Sequence, residues 1–192
     1  MRILSIFILS LSILITAPAY SAWTLDSSKS SLTFVSIKKG TVAENHRFKD
    51  FSGGINDKGL AKISIDLSSV DTKIAIRDQR MAEHLFETVK FAQANFSVQL
   101  NQNKIDAIAS GSSKNMILKG NLDLHGQQQE VTVSVMVMKL SEKNMVVTTL
   151  QPVIIKAEDF ALVAGINKLK SLANLPSIAY SVPVSFVLTF TE

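Results

Sequence analysis

The sequence predicts a mainly β single domain of about eight antiparallel strands with two short helices. Three observations predict it. Apolar residues alternate with polar ones in several separate segments, glycine-rich turn signals punctuate those segments, and only two stretches have helical spacing instead.

Taken in chain order, the first segment stands apart from the fold. Met1-Arg2 is a short positive start, Ile3 to Ile15 holds only apolar residues and three serines, and Ala17-Pro18-Ala19-Tyr20-Ser21-Ala22 supplies small residues at cleavage spacing. That is the anatomy of a secretory signal peptide, and the run is short of the roughly 20 residues a membrane helix needs. Cleavage is expected after Ser21, with Ala22 the neighbouring choice. Residues 1–21 then form the signal and 22–192 the mature domain, whose net charge falls from +4 to +3 with the loss of Arg2. Export to the periplasm or the medium follows as an expectation.

Ala61 to Leu67 points Ile63, Ile65 and Leu67 to one face, and Asn56-Asp57-Lys58-Gly59 before it reads as a hairpin connection. Gly53-Gly54, Ser110-Gly111-Ser112 and His125-Gly126 read as further turns. Arg77 to Glu87 breaks the rhythm: Met81, Leu85 and Phe86 stand at helical spacing among charged residues. Gln93 to Leu100 alternates cleanly through Ala94, Phe96, Val98 and Leu100. Met116 to Leu124 does so through Met116, Leu118, Leu122 and Leu124, with Gly120 on the inner face, where a bend or a close approach is expected.

Gln129 to Leu140 carries Val131, Val133, Val135 and Val137 on one face and Met136 and Met138 on the other. The methionines imply either cover by a helix or an adaptable pocket rim. Gly165 to Leu175 offers Ile166, Leu169 and Leu172 as a second helical stripe, with Lys168 and Lys170 off it. That helix is either a lid or a fixed plug. Ser181 to Phe190 turns Val182, Val184, Phe186, Leu188 and Phe190 inward. Pro183 has no N–H for a ladder, which points to an edge strand or to a proline facing away from its neighbour. Pattern alone leaves a barrel and a sandwich both open.

Composition removes several functions. Without cysteine there is no disulfide scaffold, thiolate zinc site, cysteine nucleophile or lipoprotein anchor. One Trp, two Tyr and scattered lysines do not make a nucleic-acid surface. His46, His84 and His125 lack metal-site spacing, and no nucleophile elbow or dinucleotide fingerprint occurs. No catalytic residue, metal or cofactor is therefore expected.

Four stretches together resemble the YceI-like family of exported proteins. They are Trp23-Thr24-Leu25-Asp26, Arg47 to Gly53, Val70-Asp71-Thr72 with Arg77-Asp78, Leu85-Phe86, Lys90-Phe91 and Phe96, and Leu118 to Leu122 with His125-Gly126. The resemblance implies a lipocalin-like, eight-stranded antiparallel barrel. It also implies a non-enzymatic carrier or reservoir that holds a polyisoprenoid, a quinone-like tail or a fatty acyl chain in an apolar tunnel. On that reading Phe34, Phe96, Leu118, Leu122 and Phe186 line the barrel, and Met81, Leu85, Phe86, Ile166 and Leu169 close an end. Arg77 and Arg80 are candidates for head-group contact at the mouth; the alternative is that Arg77 pairs with Asp78 or Asp71 and pins the helix. Peripheral contact with a membrane surface is a further partner expectation. Where many relatives carry Asn-Arg-x-x-Phe-Gly, this chain reads Lys156-Ala157-Glu158-Asp159-Phe160-Ala161. Two other readings compete: a stress-related interaction module without a ligand, and a hydrolase.

Overall fold

The structure, a computed structural model, describes residues 21–192. The expected signal segment lies outside the described residues apart from its last position, Ser21. Twelve strand segments make one antiparallel sheet: β1 (Ser21–Leu25), β2 (Ser31–Lys38), β3 (Val42–Phe48), β4 (Phe51–Asn56), β5 (Leu60–Asp66), β6 (Val70–Asp71), β7 (Gln93–Gln99), β8 (Ser112–Leu124), β9 (Gln127–Ser141), β10 (Asn144–Thr149), β11 (Val153–Lys156) and β12 (Ser181–Thr191). The ladder runs β1-β4-β5-β7-β8-β9-β10-β12 and returns from β12 to β1 through Thr24 opposite Thr191 and Leu25 opposite Phe190. Eight strands thus close a barrel, which removes the exposed edges an open sheet would carry. The extra segments are continuations: β2 extends β1, β3 precedes β4, β6 follows β5, and β11 resumes β10 beyond Pro152.

Local chemistry makes the breaks and turns. Asp26 accepts from Ser28 N at 3.1 Å and Asp66 from Ser68 N at 2.8 Å, so each bends its strand through a short 3-10 turn. Asn56 accepts from the backbone of Lys58 and Leu60, and Gly59 at φ +76° completes the expected hairpin. His125 and Gly126 both have positive φ, the requirement of a tight turn between the long strands β8 and β9. Gly53 and Gly54 correct the turn expectation, since both lie inside β4. A Cβ on Gly53 would stand 2.3 Å from Lys62 O, so the glycine permits close approach of β5 rather than a reversal.

Helices close the two ends. At one, α1 (Ala75–Arg80) runs into a π-helical turn, Met81–Leu85, and α3 (Val163–Leu172) packs on that turn. Gly165, where the helical stretch was expected to begin, lies inside α3 as a contact point. A Cβ there would lie 2.6 Å from His84 O and 2.8 Å from Leu85 Cα. At the other end sits α2 (Gln102–Asp106), a third helix that the alternation pattern did not reveal. Asn101 caps it, accepting from Lys104 N at 3.3 Å, and Ile105 and Ile108 are buried below.

Two further expectations change. β12 is no edge strand, because β11 and β10 pair with it on one side and β2 and β1 on the other. Its ladder with β2 starts at Val184, one residue beyond Pro183, which has no N–H to extend it. Met136 and Met138 are neither a pocket rim nor covered by a helix packed on their strand. They sit half-buried on the outer wall, opposite Asn115 and Ser113 of β8 and opposite Thr148 and Val146 of β10.

Candidate functional site

The inward faces of the strands enclose a cavity of about 250 Å³ whose wall, apart from Thr33, is made of apolar residues. Period-two geometry explains this: each strand sends every second side chain inward, and the inward positions here are mostly Val, Ile, Leu, Phe, Met and Ala. The wall reaches from Ile105 of α2 at one end to Met81, Leu85, Leu162 and Ile166 at the other. Such a space offers dispersion contact and water exclusion but no acid, base or metal ligand. Among the described residues no group of three His, Asp or Glu side chains is placed to hold a metal ion.

The sequence-derived lining residues gather here with one exception. Phe34, Phe96, Leu118, Leu122, Phe186, Met81, Leu85, Phe86 and Ile166 all face the cavity. Leu169 does not; it is half-buried and packs behind them. Phe48, Phe51, Val131, Val153 and Phe190 line the wall without having been singled out for it. For Phe190 and Val131 the signal was present, because both belong to recognised alternating runs. Phe91 is not among the lining residues and packs its ring, tilted, 4.5 Å from that of His125, and Phe160 is buried in the cluster with Leu162 and Ile166.

Arg77 and Arg80 are not among the cavity's lining residues. Arg77 Nη1 binds Glu44 Oε2 at 2.9 Å and Nη2 donates to Thr72 O at 2.7 Å; Arg80 Nη1 donates to Leu172 O at 3.3 Å. Arg77 does pin α1 to the barrel, yet its partner is Glu44 on β3. Asp78 instead accepts from the Thr72 backbone and hydroxyl, and Asp71 from Arg47. The Lys38 ammonium at 2.7 Å, with Arg77, holds the Glu44 carboxyl below its ordinary range.

His46 lies between this ionic cluster and the cavity wall. Its Nε2 meets Ser36 Oγ at 2.8 Å and its ring packs 5.2 Å from that of Phe34. The pairing has the components of a nucleophile and base, but among the described residues none hydrogen-bonds Nδ1, which is buried. Burial, aided by the Arg77 charge, also pulls the imidazole below its usual pKa, which weakens it as a base. Ser36 and His46 do not border the cavity. This is a locally bonded core histidine.

A family model described as the YceI-like domain matches residues 23–190. A polyisoprenoid binding domain from Saccharophagus degradans, implicated in plant cell wall breakdown, is 39% identical at a TM-score of 0.88, over 90% of this chain and 99% of that one. Burkholderia cenocepacia BcnA is 25% identical at a TM-score of 0.66, over 86% and 98% of the two chains. The Campylobacter jejuni YceI protein shares the fold at 14% identity and a TM-score of 0.56, over 77% and 84%. No curated protein matches the chain.

Proposed function

The chain belongs to the YceI-like domain family, and from that membership we propose that it is an exported, non-enzymatic binding protein for a long apolar amphiphile. A polyisoprenoid or quinone-like tail, or a fatty acyl chain, lies in the barrel interior, and the protein serves as carrier or reservoir. The observation that carries this reading is the cavity wall, apolar at every position but Thr33 and reaching from α2 to α3. The name of the Saccharophagus degradans domain favours an isoprenoid among the candidates. Burial supplies the drive: at about 25 cal/mol per Å², roughly 400 Å² of covered tail gives on the order of 10 kcal/mol gross, which ordering and association costs then reduce. Export rests on Met1 to Ala22, and places the protein in the periplasm or outside, where contact with a membrane surface gives it access to such tails.

Native mass spectrometry of protein purified without detergent, followed by solvent extraction, tests the reading. It expects one long-chain adduct per barrel. A protein that is ligand-free and takes up no long-chain lipid when offered one would point to the interaction-module reading.

A further inference from the structure

The helical caps leave the question of how a long molecule enters and where its polar end rests. Helical residues line both ends of the cavity, Ile105 at one and Met81, Leu85 and Ile166 at the other, and neither Arg77 nor Arg80 borders it. The ladder itself supplies an opening. β9 pairs with β10 only as far as Val135 opposite Thr149, with one more backbone bond from Leu150 N to Ser134 O. Beyond Pro152, β11 pairs with β12 alone, so no ladder joins β11 to the first half of β9. A second pocket of about 210 Å³ fills that seam, lined by Gln129, Glu130, Thr132, Lys156 and Asp159 around Val131 and Val153. The two valines also line the main cavity, so they stand between the two pockets. Gln129 Nε2 latches the seam by donating to Asp159 O at 3.2 Å. Ile154 on its rim is 53% accessible, and Leu150, at the last backbone bond to β9, is 44% accessible.

We propose that this seam is a lateral entrance through which the amphiphile's tail passes between β9 and β11, leaving an uncharged hydroxyl or carbonyl end beside Lys156. The inference rests on the binding function proposed above. Ile154 on the rim and the two shared valines mark an apolar line for the tail across an otherwise polar pocket. The rim charges argue for a neutral end. Lys156 has no ion-pair partner among the described residues and can donate to an oxygen, whereas Glu130, 3.7 Å from Lys119, and Asp159 balance the two cations. A balanced rim gives a diphosphate no net attraction.

The chain has no cysteine of its own, so Gln129→Cys with Asp159→Cys, joined by a short bis-maleimide, would lock the latch. Uptake of geranylgeraniol is then followed by displacement of a fluorescent naphthalene sulfonate, comparing the locked protein with the same variant left reduced and with the native chain. The lock is expected to slow uptake about tenfold or more, as for any association that loses its open conformation. Equal rates in the locked and reduced protein overturn the seam while leaving the binding function intact. No uptake by the native chain overturns the binding function and the seam with it. Geranylgeranyl diphosphate is expected to bind the native chain about tenfold more weakly than the alcohol; equal or tighter binding overturns the neutral-end assignment.

Discussion

Gly120 of β8 lies directly against the Phe96 ring of β7: a Cβ built on Gly120 would stand 2.3 Å from Phe96 Cζ and 2.7 Å from Ser97 O. Phe96 pairs with Leu122, so Gly120 is its diagonal neighbour on the inner face. The absent side chain gives the ring its place on the cavity wall. Gly120→Ala must displace that ring or spread the ladder, at a cost of about 1–3 kcal/mol. Chemical unfolding measures the cost, and a stability equal to the parent's would show that Phe96 is free to move aside.

His46 makes stability pH-dependent. It is only 4% exposed, and burial holds its pKa below the ordinary 6.5. Below that value the unfolded chain takes up a proton that the folded one refuses. Stability is therefore full above pH 6.5 and declines as pH falls through the window beneath it. Glu44, whose pKa is lowered from 4.5, keeps its contribution down to about that value and loses it only in more acidic solution. Unfolding midpoints collected across weakly acidic pH should slope in the native chain and flatten in His46→Gln; an unchanged slope in the variant would assign the effect to another group.

Ala161 occupies a left-handed conformation at φ +55° after the Ala157–Phe160 turn. A Cβ there costs about 1–2 kcal/mol, and the greater freedom of an unfolded glycine offsets about 0.4–1 kcal/mol of the relief. Ala161→Gly is expected to stabilise by roughly 0.5–1 kcal/mol, read as a higher melting temperature. A lower one would mean that the methyl group packs more favourably than its backbone strain costs.

The close seating of Gly165 on Leu85 favours a fixed plug over a lid for α3. Ile166 is buried at the cavity's end, whereas Leu169 is half-buried behind it. Ile166→Asp should cost a few kcal/mol, the scale of an unpaired buried charge, and Leu169→Asp distinctly less. A lid would show the opposite signature, with ligand retention lost and unfolding unchanged in Ile166→Asp.

Period two made much of the wall legible: Phe96, Leu118, Leu122 and Phe186 stand in alternating runs that could have only one inward face. Gly120 was legible as a close approach, although its partner Phe96 was not, because cross-strand register is invisible in a single chain. The α2 helix escaped because it is one turn long, with Ile105 and Ile108 its only apolar spacing. Arg77 was misassigned because nearby acids in sequence, Asp71 and Asp78, are satisfied elsewhere, and Glu44 reaches it only through the β2–β3 hairpin. The seam had one local signal, Pro152, which interrupts a strand that would otherwise have run on against β9.

The most direct test of an amphiphile housed in the barrel is isotope-filtered NMR of the protein loaded with a long isoprenoid alcohol. Contacts from the tail methyls to Phe96, Leu122, Val131 and Phe186 are the predicted result. Contacts confined to outer-wall residues such as Ile117 and Leu140, with the inner valines unperturbed, would contradict it.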